Sequence, residues 1–289
     1  MTIGILANVR KALVNEVIPG VVRWLAERGQ RVLVETDVAQ IVRCDLGCCE
    51  VVPRAELVAA VDMVFAFGGD GTILSAAREV GPREVPILGV NLGGLGFLAG
   101  VTLGELYPSL EDVLRGEYEI LERMVIRVDV EGDTTSTFFC LNDVVIDRGA
   151  SPRVVQIEAY VDGTYLNTYV ADGIIVATPT GSTAYSLSAG GPIVVPTMKA
   201  IVITPLCSHT LSARTVVLPD SSVVRTVGYT QGECLSLSAD GQLAYRLRPG
   251  QWVIVRKANY SVKWVWVRRK SFYELLRQKL YWGHDLRRT

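Results

Sequence analysis

Residues 68–72 read Gly68-Gly69-Asp70-Gly71-Thr72, one carboxylate set among three glycines. Missing side chains let the backbone come close to an anion, which suits phosphate groups. The carboxylate does not suit them. Its chemistry is to accept a proton or hydrogen bond from an attacking hydroxyl, or to help hold Mg2+. A glycine-rich turn with Asp70 as a helix cap is the plainer alternative.

A second chemical segment begins at Asp172 and continues through Thr178-Pro179-Thr180-Gly181-Ser182-Thr183-Ala184-Tyr185-Ser186-Leu187-Ser188. An apolar run enters a Pro-Thr-Gly turn and leaves as a short hydroxyl-rich helix. Such a turn offers backbone donors and hydroxyls to a sugar or base, and Tyr185 offers a ring to stack on. Capping and turn chemistry alone is the other reading. No Gly-Lys dipeptide occurs, which excludes a Walker loop. Gly94, Gly96 and Ala99 match the dinucleotide fingerprint, but Gly100-Val101-Thr102 is a poor helix start. About twenty residues on, where the fingerprint wants a ribose-binding acid, Tyr118-Glu119 falls in a junction between domains.

The elements that must position these residues follow from periodicity. Apolar runs at residues 3–7, 31–35, 63–67 and 86–90 read as buried strands. Between them, residues 11–29 (with Leu13, Val17, Val21, Trp24 and Leu25 at helical spacing), 55–61 and 73–80 read as helices, and residues 39–54 as irregular. Alternating strands and helices imply a parallel sheet covered on both faces. Gly68–Thr72 then sits beyond the carboxyl end of a strand and before a helix N-terminus, where α/β sheets bind ligands. Residues 111–117 read as the end of a linking helix. From there the pattern is mostly strands: 125–130, then pairs around Asp162-Gly163 and Asp240-Gly241, then 252–256 and 262–267 as a further pair. Tyr260, Trp264 and Trp266 share one strand face and read as core. A tail helix over 271–280 carries Phe272, Leu275, Leu276 and Leu280 on one stripe. The expected architecture is an N-terminal α/β nucleotide-binding domain, residues 1–105 joined by 267–289, and a β-sandwich-like domain, residues 106–266. The tail helix packs back on the first.

At 289 residues and 49% hydrophobic, the chain can build two cores. Its 29 basic and 30 acidic residues leave a net charge of −1, which argues against a nucleic-acid partner. No apolar run approaches the ~18–20 residues of a membrane span, and the apolar start is too short for a signal peptide. A soluble cytoplasmic protein without a membrane partner is expected. The six cysteines, with Cys44, Cys48 and Cys49 clustered, accompany only two histidines, His209 and His284. Reduced thiols are the simplest reading, with a disulfide or structural metal as alternatives.

On Gly68-Gly69-Asp70-Gly71-Thr72, Asn91 to Leu98, Leu141-Asn142-Asp143, Thr178 to Tyr185, His209-Thr210-Leu211-Ser212 and Asp240-Gly241-Gln242, the chain resembles the NAD kinases over nearly its whole length. The glycine-aspartate loop alone is shared with lipid kinases; the Thr178 to Tyr185 motif is far more specific. The resemblance implies an active site in a cleft between the domains. There a phosphoryl group passes from Mg2+-bound ATP, or another triphosphate or polyphosphate, to the 2′-hydroxyl of the adenosine ribose of NAD. It implies Gly68, Gly69, Gly71 and Thr72 as the phosphate-donor loop, and Asp70 as proton acceptor with Gly71 beside it. Asn142, Asp143, Arg153, Asp172, Thr183, Ala184, Tyr185, Ser186, Leu187, Ser188 and Gln242 would complete the NAD site. No permanently protein-bound metal and a homo-oligomer, dimer or tetramer, are implied. His209 has either a core or cap role or a substrate contact. Two positions depart from the family: Ser75 stands where many relatives are basic, and Val170 where some are polar. A non-catalytic nucleotide sensor, or a lipid or sugar kinase sharing the loop, are the alternatives.

Overall fold

The computed structural model describes residues 1–42, 47–94, 96–132, 135–210, 212–231, 234–267 and 271–282. Cys44, Leu95, Leu211 and His284 lie outside them. The chain divides into two compact units, Met1–Glu122 with Val262–Thr289, and Arg123–Ser261.

The first unit runs β1 (Thr2–Ala7), α1 (Leu13–Glu27), β2 (Arg31–Glu35), α2 (Thr36–Val42), β3 (Glu50–Val52), α3 (Arg54–Leu57), β4 (Met63–Gly68), α4 (Asp70–Val80), β5 (Ile87–Asn91), β6 (Val101–Thr102) and α5 (Leu106–Leu114). Its strands pair in parallel in the order β5-β4-β1-β2-β3, with β6 beside β5. Strand order reverses between β1 and β4, the switch point where such sheets open a crevice beyond their carboxyl ends. The core gathers Ile3, Ile5, Phe65, Phe67, Leu88 and Val90 from the sheet with Val14, Ile18, Val21 and Leu25 of α1. The buried stripe of α1 is therefore set by Val14 and Ile18 rather than by Leu13 and Val17. Residues 39–54 are less irregular than expected, since α2 and β3 occupy their two ends. Leu106, Leu110 and Val113 of α5 join this core, so the first unit continues to Glu122 rather than stopping at residue 105.

The second unit contains β7 (Glu119–Val130, entering from the first unit), β8 (Ser136–Cys140), β9 (Asp143–Asp147), β10 (Val155–Val161), β11 (Thr164–Ala171), β12 (Gly173–Ala177), α6 (Tyr185–Ser188), β13 (Ala200–Leu206), β14 (Val216–Pro219), β15 (Val224–Tyr229), β16 (Leu235–Ala239) and β17 (Leu243–Leu247). Among the described residues, an antiparallel sheet runs β14-β13-β12-β9-β16-β17. A second antiparallel group runs β11-β10-β15 and onto β18 (Trp252–Trp266). Ile146, Ile174, Val176, Ile203 and Leu237 of the first layer share a core with Ile157, Ala159, Val224, Val253 and Val255 of the second. Both expected hairpin turns form, with left-handed φ at Asp162 and Gly163 and at Asp240 and Gly241.

Residues 252–267 do not form a pair of strands. β18 is one strand of 15 residues, whose last part belongs to the first unit, where Trp264 pairs in parallel with Ile87. No glycine or proline interrupts residues 257–261, and the strand runs through them unbroken. Trp264 is buried, Trp266 lies beside Gly100, and Tyr260 packs against Phe139 with the rings tilted. Finally α7 (Phe272–Leu280) starts at a capping box of Ser271 and Glu274. It belongs to the first unit and buries Leu275 and Leu276.

Candidate functional site

The expected site residues fall in both units. In the first, β4 is buried along its whole length and delivers Gly68 and Gly69 directly into α4, which begins at Asp70. Thr72 and Ile73 N–H close the first turn on the Gly69 carbonyl at 2.9 and 3.3 Å. The helix N-terminus, with its positive dipole end, thus opens at the carboxyl edge of the sheet.

Asp70 is held by the loop that follows β5. Its Oδ2 accepts from the Phe97 N–H at 2.9 Å and its Oδ1 from the Leu98 N–H at 3.1 Å. The segment carrying Gly94, Gly96 and Ala99 is no dinucleotide helix start; it is an irregular loop wrapped on this carboxylate. A β-carbon at Gly96 would fall 1.9 Å from Asp70 Oδ1, so only glycine admits the contact. Asn91, at the end of β5, shapes the loop: its Oδ1 accepts from Gly93 N–H at 2.9 Å and its Nδ2 donates to the Gly94 carbonyl at 3.0 Å. Lys11, just past β1, donates from Nζ to the Leu92 carbonyl at 3.1 Å. In sequence these residues stand out as glycines after a strand and as part of the resemblance, but their contact with Asp70 is not legible, because that partner lies 27 and 28 residues away. At Ser75, where a basic residue is missing, the Arg54 guanidinium donates to Oγ at 2.7 Å. Arg54 is shared with Glu35 at 3.3 Å and Glu79 at 3.5 Å.

In the second unit, Leu141-Asn142-Asp143 leads into β9 and is gripped by two turns. Thr178 donates from N–H to the Asn142 carbonyl at 2.8 Å and from Oγ1 to the Leu141 carbonyl at 2.5 Å. A β-carbon at Gly181 would meet the Asn142 carbonyl oxygen at 2.1 Å, so the Thr-Pro-Thr-Gly turn packs directly on this segment. From the β16–β17 turn, the Asp240 carboxylate accepts from the N–H groups of residues 141, 142 and 143. Burial first, and the Asp240 carboxylate second, push Asp143 up to about 7. Asn142 Oδ1 and Thr180 Oγ1 are two of the six buried side-chain atoms that have no hydrogen-bond partner among the described residues, and both lie on this segment and the turn that packs against it.

Thr183, Ala184 and Leu187 are partly exposed, and Tyr185, Ser188 and Gln242 exposed. Ser186 is different: it is fully buried, and its hydroxyl meets Thr204 Oγ1 at 2.9 Å. Asp172 pairs with Arg148 Nε at 2.8 Å. Arg153 is bonded to Gln231 at 2.6 Å. It lines a cavity of about 640 Å3 with Val170, His209 and Tyr229. His209 is exposed, which removes the core role, and its N–H donates to the Val170 carbonyl at 2.9 Å. Among the described residues no disulfide joins Cys48, Cys49, Cys140, Cys207 or Cys234.

Comparison with known proteins gives one answer along the chain. The family model of the ATP-NAD kinase N-terminal domain matches residues 3–118, and that of the ATP-NAD kinase C-terminal domain residues 141–267. The NAD kinase of Solibacter usitatus is 40% identical over 284 residues, 98% of each chain. That of Geobacter sulfurreducens is 44% identical over 283 residues, 97% of this chain and 98% of the other. Yeast NADH kinase, solved as a complex with NADH, aligns with a TM-score of 0.90 and 28% identity, covering 100% of this chain and 90% of that one. An NAD kinase from Archaeoglobus fulgidus, solved with ATP, aligns with a TM-score of 0.76 at 22% identity over 97% and 99% of the chains, a likeness of fold.

Proposed function

The chain belongs to the ATP-NAD kinase family and is an enzyme that phosphorylates NAD, and from that premise we propose how its residues do so. The donor is ATP and the acceptor is the 2′-hydroxyl of the adenosine ribose. Gly68, Gly69, Gly71 and Thr72 receive the donor phosphates at the head of α4, with Lys11 adding positive charge from the neighbouring strand end. Asp70 orients the hydroxyl and takes its proton late in the transfer. The observation that carries this reading is the grip of Phe97 and Leu98 N–H on both Asp70 oxygens. It fixes the carboxylate in one orientation beside a helix N-terminus suited to phosphate.

Asn142 Oδ1 and Thr180 Oγ1, buried and unpartnered, are suited to the hydroxyls and base of NAD, together with Asp143, Thr183, Ala184, Leu187, Ser188 and Gln242. Tyr185 stacks on a ring. Ser186 contributes by anchoring α6 through Thr204, and its hydroxyl is not offered to ligand. Arg153 and Asp172 serve the charged and nicotinamide parts of the substrate. Mg2+ comes with the donor, whose phosphates it neutralises; Asp70 is the carboxylate of the donor loop. ATP and NAD are metabolites of the cytoplasm, and the enzyme is assigned there. A homo-oligomer is favoured by the aromatic face of Tyr160, Tyr165 and Trp252, with Tyr165 54% exposed. Sedimentation as a monomer at assay concentration would remove that part.

The test is incubation with Mg2+, ATP and NAD, read by an NADP-specific dehydrogenase. Asp70→Asn should keep the fold and lose at least about 10²-fold in kcat. Near wild-type turnover in that variant would sink the role of Asp70.

A further inference from the structure

Asp240 stands in a hairpin turn and in one of the segments that carry the resemblance; it is 9% exposed and its carboxylate is turned inward onto backbone N–H groups. Oδ2 accepts from the Leu141 N–H at 3.0 Å; Oδ1 accepts from Asn142 N–H at 2.8 Å and Asp143 N–H at 3.2 Å. Its own N–H donates to the Asp143 carbonyl at 2.9 Å. One side chain thereby holds three consecutive backbone donors, while Thr178 holds the carbonyls of Leu141 and Asn142. Hydrogen bonds to a charged acceptor are the strong ones, so the segment cannot rotate without losing several together. The two side chains aimed by this segment are Asn142, with its buried unpartnered Oδ1, and Asp143.

We propose that Asp240 is a positioning residue of the NAD site, whose clamp on the backbone of residues 141–143 sets the direction of the Asn142 and Asp143 side chains toward the substrate. The inference rests on the NAD-site reading above. A second consequence comes from charge. Asp240 helps to hold the proton on Asp143 up to about pH 7. Near neutrality Asp143 therefore passes from a hydrogen-bond donor to an acceptor only. Cys140 and Tyr260 also bear on this cluster, Tyr260 being pushed up to about 12 by burial, then by Cys140 and Asp240. Neither adds a positive charge that would offset Asp240.

The discriminating variant is Asp240→Asn. Asparagine tolerates the left-handed φ of 52° at this turn, and its oxygen can still accept from Asn142 and Asp143. It loses the charge and the Leu141 bond. NAD affinity should fall at least about tenfold, the cost of bonds to a charged group, with KM for ATP unchanged. The pH at which NAD affinity inflects should move down. Asp240→Glu keeps the charge but displaces the carboxylate, and should lose affinity while keeping the inflection near neutrality. In both, amide exchange at residues 141–143 should accelerate. Wild-type NAD affinity and inflection in Asp240→Asn would overturn the proposal, as would loss of NAD and ATP constants together with a lowered Tm. Wild-type protein that forms no NADP from NAD would refute the substrate assignment, and this inference with it; the variant results separate the two.

Discussion

Asp143 is a carboxyl group kept where its charge is unwelcome. It is 4% exposed and faces a second carboxylate. In the unfolded chain it loses its proton near the ordinary value of 3.8; in the folded chain it keeps it up to about 7. The folded state therefore binds the extra proton between those values, and stability falls as pH rises through that window. Asp143→Asn removes the penalty. It should be more stable than the wild type at pH 8 by an amount on the order of 2–4 kcal/mol, with the gap closing toward pH 4, while NAD binds less well. Denaturant titration at the two pH values checks this; equal stabilities at pH 8 would mean that Asp143 is not strained by its surroundings. The sequence offered Asp143 as a ligand through family resemblance, but its burial and its neighbour Asp240 come from a turn nearly a hundred residues away, which no local pattern reveals.

At the scale of elements, the donor loop and the loop from Asn91 to Leu98 form one device. The first brings the carboxylate, and the second brings the two N–H groups that aim it. Gly96 is where they touch. Gly96→Ala places a methyl group on Asp70 Oδ1, and should cost kcat about 10²-fold, the worth of a well-placed general base. KM for NAD and the Tm should change little, since no core residue is disturbed. A collapse of Tm in that variant would show the loop to be structural instead. The strands and helices were legible here because burial imprints a period on each of them. The contact was not, since a glycine announces close approach without naming what approaches. β18 failed for a different reason. Its buried positions are odd up to Val255 and even from Ala258 to Trp264. A break in alternation reads as a turn when the strand in fact continues with its faces exchanged.

For the whole molecule, composition and periodicity gave an α/β unit, a β-rich unit and a tail returning to the first. The place of division was harder to read, because Leu106, Leu110 and Val113 are as apolar as any linker helix and only their packing assigns them to the first unit. β18 carries the remaining lesson. Val265 and Val267 complete a core whose other members lie before residue 123. During synthesis the first unit emerges early and must wait, its core open along β5, until residues 265–267 of 289 have been made. A fragment of residues 1–122 should accordingly be protease-sensitive and bind hydrophobic dyes, and supplying residues 252–282 in trans should protect it. A fragment already compact alone would contradict this. The late arrival of β18 makes the closing of the first unit's core one of the last events of synthesis, so the chain's two ends meet in a unit that its first 122 residues begin and only its tail completes.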